Sequence, residues 1–60
     1  LPLVDQVGLF EKKVIAASLA ASDGNLKATY ESLGLSRKTL YEKMQKYGLR
    51  REDFRSEDEV

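Results

Sequence analysis

The nine residues Leu33-Gly34-Leu35-Ser36-Arg37-Lys38-Thr39-Leu40-Tyr41 constrain this chain more than any other stretch. Two short apolar periodicities meet there across a single glycine. Gly34 suits the left-handed conformation that closes one helix. Ser36, two residues on, suits the N-cap of the next. Leu33, Leu35 and Leu40 flank the turn and aim both helices at a shared core. A chain that makes this corner commits to two helices set at an angle, the second offering Arg37, Lys38 and Thr39 from its first turn.

The pattern extends on both sides. The spacing predicts a first helix over residues 3–22, a second over 26–33 and a third over 37–47. Pro2 suits a helix start, where its missing N–H is no loss. Gly24 suits the close of the first helix and Asn25 the cap of the second. Leu26, Thr29, Tyr30 and Leu33 form the inward stripe of the second helix. Leu40, Met44 and Tyr47 form that of the third. Gly48 ends the third helix, and Leu49 folds back behind it. With no strand pattern and no repeat, the expectation is an all-α, three-helix domain over residues 1–49 and a charged tail over 50–60. The tail is expected to fray, with Phe54 docking near the third helix.

The first helix carries two apolar strips. Leu3, Val7, Phe10, Val14, Ala17 and Ala21 recur at alternating spacings of four and three, a heptad-like seam. Val4, Ile15 and Leu19, with Gly8 between, form a second strip. A chain of 60 residues has helices enough to cover one of these. A second copy covers the other, and the seam is assigned to that homodimer interface. Periodicity alone leaves open which strip faces the partner, and partial exposure of one strip is the alternative.

Composition removes several classes of function. The chain has no cysteine and no histidine. Disulfides, thiolate metal sites and the commonest general base are therefore excluded. No cofactor and no metal site is expected. No constellation of carboxylates or lysines suggests a catalytic pocket, so an enzyme is not expected. The most apolar run, around Val14 to Ala21, is far short of a membrane span. No signal-peptide pattern opens the chain, and a start at Leu1 without methionine suggests a piece of a larger protein.

Charge is neutral in total and uneven along the chain. Residues 25–51 carry Lys27, Arg37, Lys38, Lys43, Lys46, Arg50 and Arg51 against Glu31 and Glu42 alone. Residues 52–60 reverse this, with Arg55 against five carboxylates. Local field, not total charge, guides a polyanion to a surface. The corner with a basic, polar second helix therefore reads as a helix-turn-helix for double-stranded DNA. Ser36, Arg37, Lys38, Thr39, Tyr41 and Gln45 have the chemistry for base edges: Arg and Lys for guanine, Gln for adenine, Thr for the thymine methyl. Asn25, Lys27, Lys43 and Lys46 are placed for phosphates. Lys38, Gln45 and Lys46 also suit a plain solvated face, Tyr41 suits packing over the helix pair, and Glu42 suits pairing with Lys46. The alternative function is a protein–protein interaction and dimerisation module on the same scaffold. Tyr30 and Thr29 are large for the point where the two helices come closest. Either the helices splay there, or Tyr30 turns outward along the first helix and its hydroxyl finds a partner.

Phe10-Glu11-Lys12-Lys13-Val14-Ile15, Gly24-Asn25-Leu26 and the run from Leu33 to Leu49 together resemble the Fis-type helix-turn-helix that ends sigma-54-dependent activators of the NtrC type. The Arg37-Lys38-Thr39 run and the arginine-rich, aromatic tail through Phe54 are most similar to the branch that regulates dicarboxylate transport. The resemblance implies a cytoplasmic transcription activator and response regulator. It implies a homodimer built by the first helices and inverted-repeat sites upstream of a promoter. It also implies contact with sigma-54 polymerase only through domains absent here. Contacts carried over from the family fall on Ser36, Arg37, Thr39 and Tyr41. Glu42 departs from the family's basic residue, and Thr29-Tyr30 from its usual alanine pair.

Overall fold

The computed structural model describes residues 1–55 and forms three helices, with no strand among the described residues. Helix α1 spans Leu3–Ala21, α2 spans Leu26–Leu33 and α3 spans Arg37–Tyr47. A single 3-10 turn, Arg51–Phe54, follows. The all-α, three-helix expectation holds. Helix α1 stops one residue earlier than its periodicity suggests, because Ser22 takes the capping position.

Each boundary has a local cause. Pro2 lies outside α1 with ψ 154°, and its carbonyl accepts from the N–H groups of Asp5 and Gln6 at 3.0 Å each. The Asn25 side chain accepts from the Ala28 N–H at 3.0 Å. The Ser36 hydroxyl accepts from the Thr39 N–H at 3.1 Å. Gly34, at φ 71°, lets the chain reverse so that the Leu35 N–H reaches the Tyr30 carbonyl at 2.9 Å. Between α1 and α2 the left-handed residue is not Gly24 alone. Asp23 adopts φ 58° as well, ahead of Gly24 at φ 80°. Aspartate is one of the few side chains that tolerate this region.

The core is small. Ile15 and Leu19 from α1 meet Leu40 and Met44 from α3, all four buried. Leu26, Tyr30, Leu33, Leu35, Tyr47, Leu49 and Phe54 pack around them, each partly buried. Thr29 is fully buried among these apolar groups. Its hydroxyl donates to the Asn25 carbonyl at 2.8 Å and lies 2.9 Å from the Ser22 hydroxyl. Burial without such partners would cost about 1–3 kcal/mol. The close approach is therefore taken by Thr29. Tyr30 lies half-buried against the core and edges a groove with Arg37 and Tyr41.

The segment after α3 is more ordered than its charge suggests. Phe54 packs against the core, and the turn that carries it lies chiefly against α1. Gly24 makes room for this. A Cβ there would stand 2.7 Å from Arg55 Cγ and 3.0 Å from the Arg51 carbonyl oxygen. The fraying expected for residues 56–60 lies outside the described residues.

The four-residue core carries a large share of a small total. Leu19→Ala should lower the unfolding free energy by about 2–5 kcal/mol, most of what so short a chain holds. Urea unfolding followed by helical circular dichroism reads this, and a loss under about 1 kcal/mol would place the stabilising contacts elsewhere.

Candidate nucleic-acid interface

Helix α3 is pinned on one side and open on the other. Leu40 and Met44 fill the core, and Tyr47 leans on α1. At 3.6 residues per turn this leaves Arg37, Lys38, Tyr41, Glu42, Gln45 and Lys46 on the exposed arc. Ser36 precedes them, exposed at the cap, and Thr39 is half-buried at the edge. The Ser36 hydroxyl donates to the Thr39 hydroxyl at 2.9 Å, so both are held in the first turn.

Arg37 and Tyr41, one turn apart, form a unit. The guanidinium carbon stands 5.5 Å from the Tyr41 ring centre. Its Nη2 donates towards the Tyr41 hydroxyl at 3.5 Å, which raises the Arg37 pKa. Stacking of this kind restricts a long side chain before any ligand arrives.

The other edge of α3 is tied to α1. Lys43 Nζ lies 2.8 Å from a Glu11 carboxylate oxygen, and the Tyr47 hydroxyl donates to the second Glu11 oxygen. The Lys43 bond, then the Tyr47 bond, holds the Glu11 pKa below its ordinary value; the same contact raises that of Tyr47. Lys43 thus faces Glu11, where a phosphate would compete with a carboxylate. Lys46 sits over the Tyr47 ring, 5.3 Å from its centre. The run of charges offered no sign that Glu11 would meet α3, since the contact joins residues far apart in the chain.

Asn25 and Lys27 lie exposed at the start of α2, beside Arg37 and Tyr41 in a groove that also holds Arg51 and Arg55. The last two fall in the segment expected to be a charged tail. Their spacing of four around the apolar Phe54 was the available signal. Leu3, Val7, Phe10, Val14, Ala17 and Ala21 are all exposed along α1. Leu3 is 75% and Phe10 70% accessible, whereas Ile15 and Leu19 of the second strip enter the core. Val4, at the far end of that strip, is exposed with the seam. No helix among the described residues is long and apolar enough to cross a membrane.

The Glu11 contacts have a defined pH signature. A carboxylate whose folded pKa is lowered stabilises fully above its unfolded value, here 4.5, and the contribution is lost as pH falls through the folded value. The thermal stability of the wild type should exceed that of Glu11→Gln at neutral pH and low salt. The difference should close well below pH 4.5 and narrow with added salt. A difference independent of pH would assign the effect to packing.

A family model described as bacterial regulatory protein, Fis family, matches residues 6–47, which include most of α1 and all of α2 and α3. Two curated relatives share the name C4-dicarboxylate transport transcriptional regulatory protein DctD. The one from Rhizobium meliloti is 35% identical over 52 residues, covering 87% of this chain and 11% of the relative. The one from Pseudomonas aeruginosa is 43% identical over 44 residues, covering 73% of this chain and 10% of the relative. The chain therefore spans about a tenth of the length of the curated relatives it matches. No solved structure matches it. With a capped, glycine-turned helix pair, a polar outer face on α3 and a family match across all three helices, the chain belongs to the Fis family of bacterial regulatory proteins.

Proposed function

We propose that this domain binds double-stranded DNA sequence-specifically as a homodimer, and that it serves a bacterial sigma-54-dependent activator of C4-dicarboxylate transport genes. The observation that carries the DNA reading is the division of α3: Leu40 and Met44 lock one side, while Arg37, Lys38, Tyr41 and Gln45 face solvent. A helix held this way enters a major groove without reorganising. Arg37 reads a guanine, with Lys38, Thr39, Tyr41 and Gln45 beside it and Ser36 at the helix cap. Asn25 and Lys27 touch the backbone from the start of α2, and Lys46 from the far side of α3, with Lys43 joining it where a phosphate displaces Glu11.

The way α1 is used supports the dimer. Its core contacts engage Ile15 and Leu19, and the exposed line Leu3, Val7, Phe10, Val14, Ala17 and Ala21 remains. An uncovered apolar stripe of this length on a 19-residue helix suits a second copy of the same stripe. Two such domains present their third helices to an inverted repeat. The relatives' printed name supports the dicarboxylate assignment. Activation of sigma-54 polymerase belongs to other domains of such an activator, and the setting is the cytoplasm.

The test is a binding titration against a duplex selected from genomic fragments with the purified domain. Arg37→Ala should weaken that binding by about 1–3 kcal/mol and relax the preference at one base pair of each half-site. Unchanged affinity and preference would remove Arg37 from base readout, and a wild-type domain that selects no sequence would overturn specific recognition.

A further inference from the structure

We propose that the 3-10 turn after α3 is a phosphate clamp, in which Arg51 and Arg55 contact the backbone of the same duplex. The inference rests on the DNA-binding reading above. The family match ends at Tyr47, so these arginines lie beyond the part of the chain that the family model describes.

Three observations converge. First, Lys27, Arg37, Arg51 and Arg55 line one open groove of about 580 Å³, edged by Tyr30 and Tyr41, with Asp23 the single carboxylate in the lining among the described residues. Four cations from three separate elements around one concavity create a local positive potential that the chain's neutral total conceals. Second, the turn is anchored. Phe54 packs against the core, and the Arg51 carbonyl and the Arg55 stem fill the space left by Gly24. The two arginines are therefore carried by docked structure. Arg55 lies with its aliphatic stem on protein, an arrangement that buries carbon and leaves the guanidinium to reach outward. Third, the groove is continuous with the Arg37–Tyr41 edge of α3. A duplex lying along α3 brings its backbone past α2 and then past this turn.

The contact is to phosphate. Arg51 and Arg55 stand beside Lys27 at the start of α2, on a turn docked against α1 and outside the helix proposed to enter the major groove. Guanidinium groups there add affinity through charge and counterion release, which is indifferent to sequence. Their removal should lower affinity for every duplex by one common factor. Loss of Arg37 should instead lower the ratio of specific to non-specific binding.

The test measures binding of the whole 60-residue chain to two duplexes long enough to span two half-sites, one of mixed sequence and one selected from genomic fragments, over a series of salt concentrations. Arg51→Gln with Arg55→Gln keeps most of the stem that packs on Gly24 and removes both charges. This pair should weaken binding to both duplexes about tenfold and reduce the slope of log K against log salt by about 0.9 for each phosphate no longer neutralised. The specific-to-non-specific ratio should stay at the wild-type value, and Arg51→Lys with Arg55→Lys should recover most of the slope. Thermal unfolding of each variant accompanies the titrations. Should the double glutamine variant be destabilised, Arg51→Gln alone is decisive, because Arg51 meets Gly24 through its backbone. It should show about half the slope change. Lys12→Gln with Lys13→Gln removes two exposed charges from α1 and should leave the slope unchanged. A wild-type slope in the arginine variants overturns the clamp and leaves the DNA reading intact. An equal loss in the lysine control also overturns the clamp, since general charge then accounts for it. A wild-type chain that binds neither duplex overturns both readings.

Discussion

The wedge of Ile15 and Leu19 between Leu40 and Met44 holds this domain in its working shape. It fixes α3 against α1 along one line, so the face of α3 that remains open is set by which side of α1 is used. It also consumes only part of α1. The N-terminal half of that helix projects past the core with Leu3, Val4, Val7 and Phe10 exposed. The elongated outline, 44 × 22 × 16 Å, is the consequence. A domain with four buried apolar side chains has little stability to spare. In the proposed dimer, a second copy over the α1 stripe would support the fold and bring two α3 helices together in one step.

Much of the corner was legible in the chain itself. Gly34, Ser36, Asn25 and Gly48 each announce a helix end through a local backbone requirement, and local requirements survive folding unchanged. The inner stripe of α3 was legible for the same reason, because period alone selects Leu40 and Met44. Where two residues compete for one environment, sequence was a weaker guide. Thr29 and Tyr30 both looked too large for the helix crossing, and the choice rested on bonds from the Thr29 hydroxyl to the Ser22 hydroxyl and the Asn25 backbone carbonyl that no spacing rule encodes. Both strips on α1 were apolar, and the position of α3 puts Ile15 and Leu19 in the core and leaves the seam exposed. The turn at Arg51–Phe54 was hidden by its charge, since its order comes from one aromatic and from the absence of a side chain at Gly24.

The candidate site combines side chains fixed by different means. Arg37 is steadied by Tyr41 one helical turn away, and Ser36 and Thr39 steady each other at the cap. Glu11 reaches across to Lys43 and Tyr47 and couples the tilt of α3 to α1. Any partner that pairs with α1 thereby meets a helix already joined to α3. Pre-ordering of this kind lowers the entropy lost on binding, which is how a small, polar face gains affinity without a larger interface.

One face of α1 builds the domain, and the proposed function assigns the other to a second copy. Because the chain contains no cysteine, Glu42→Cys carries a single spin label on the exposed arc of α3 without removing a side chain proposed to contact DNA. Pulsed dipolar spectroscopy then measures the distance between the two labels of a dimer bound to its selected duplex. A narrow distribution on the order of 34 Å, one turn of DNA, is the predicted result. Absence of any dipolar coupling, or a distance far beyond one turn, would contradict the account.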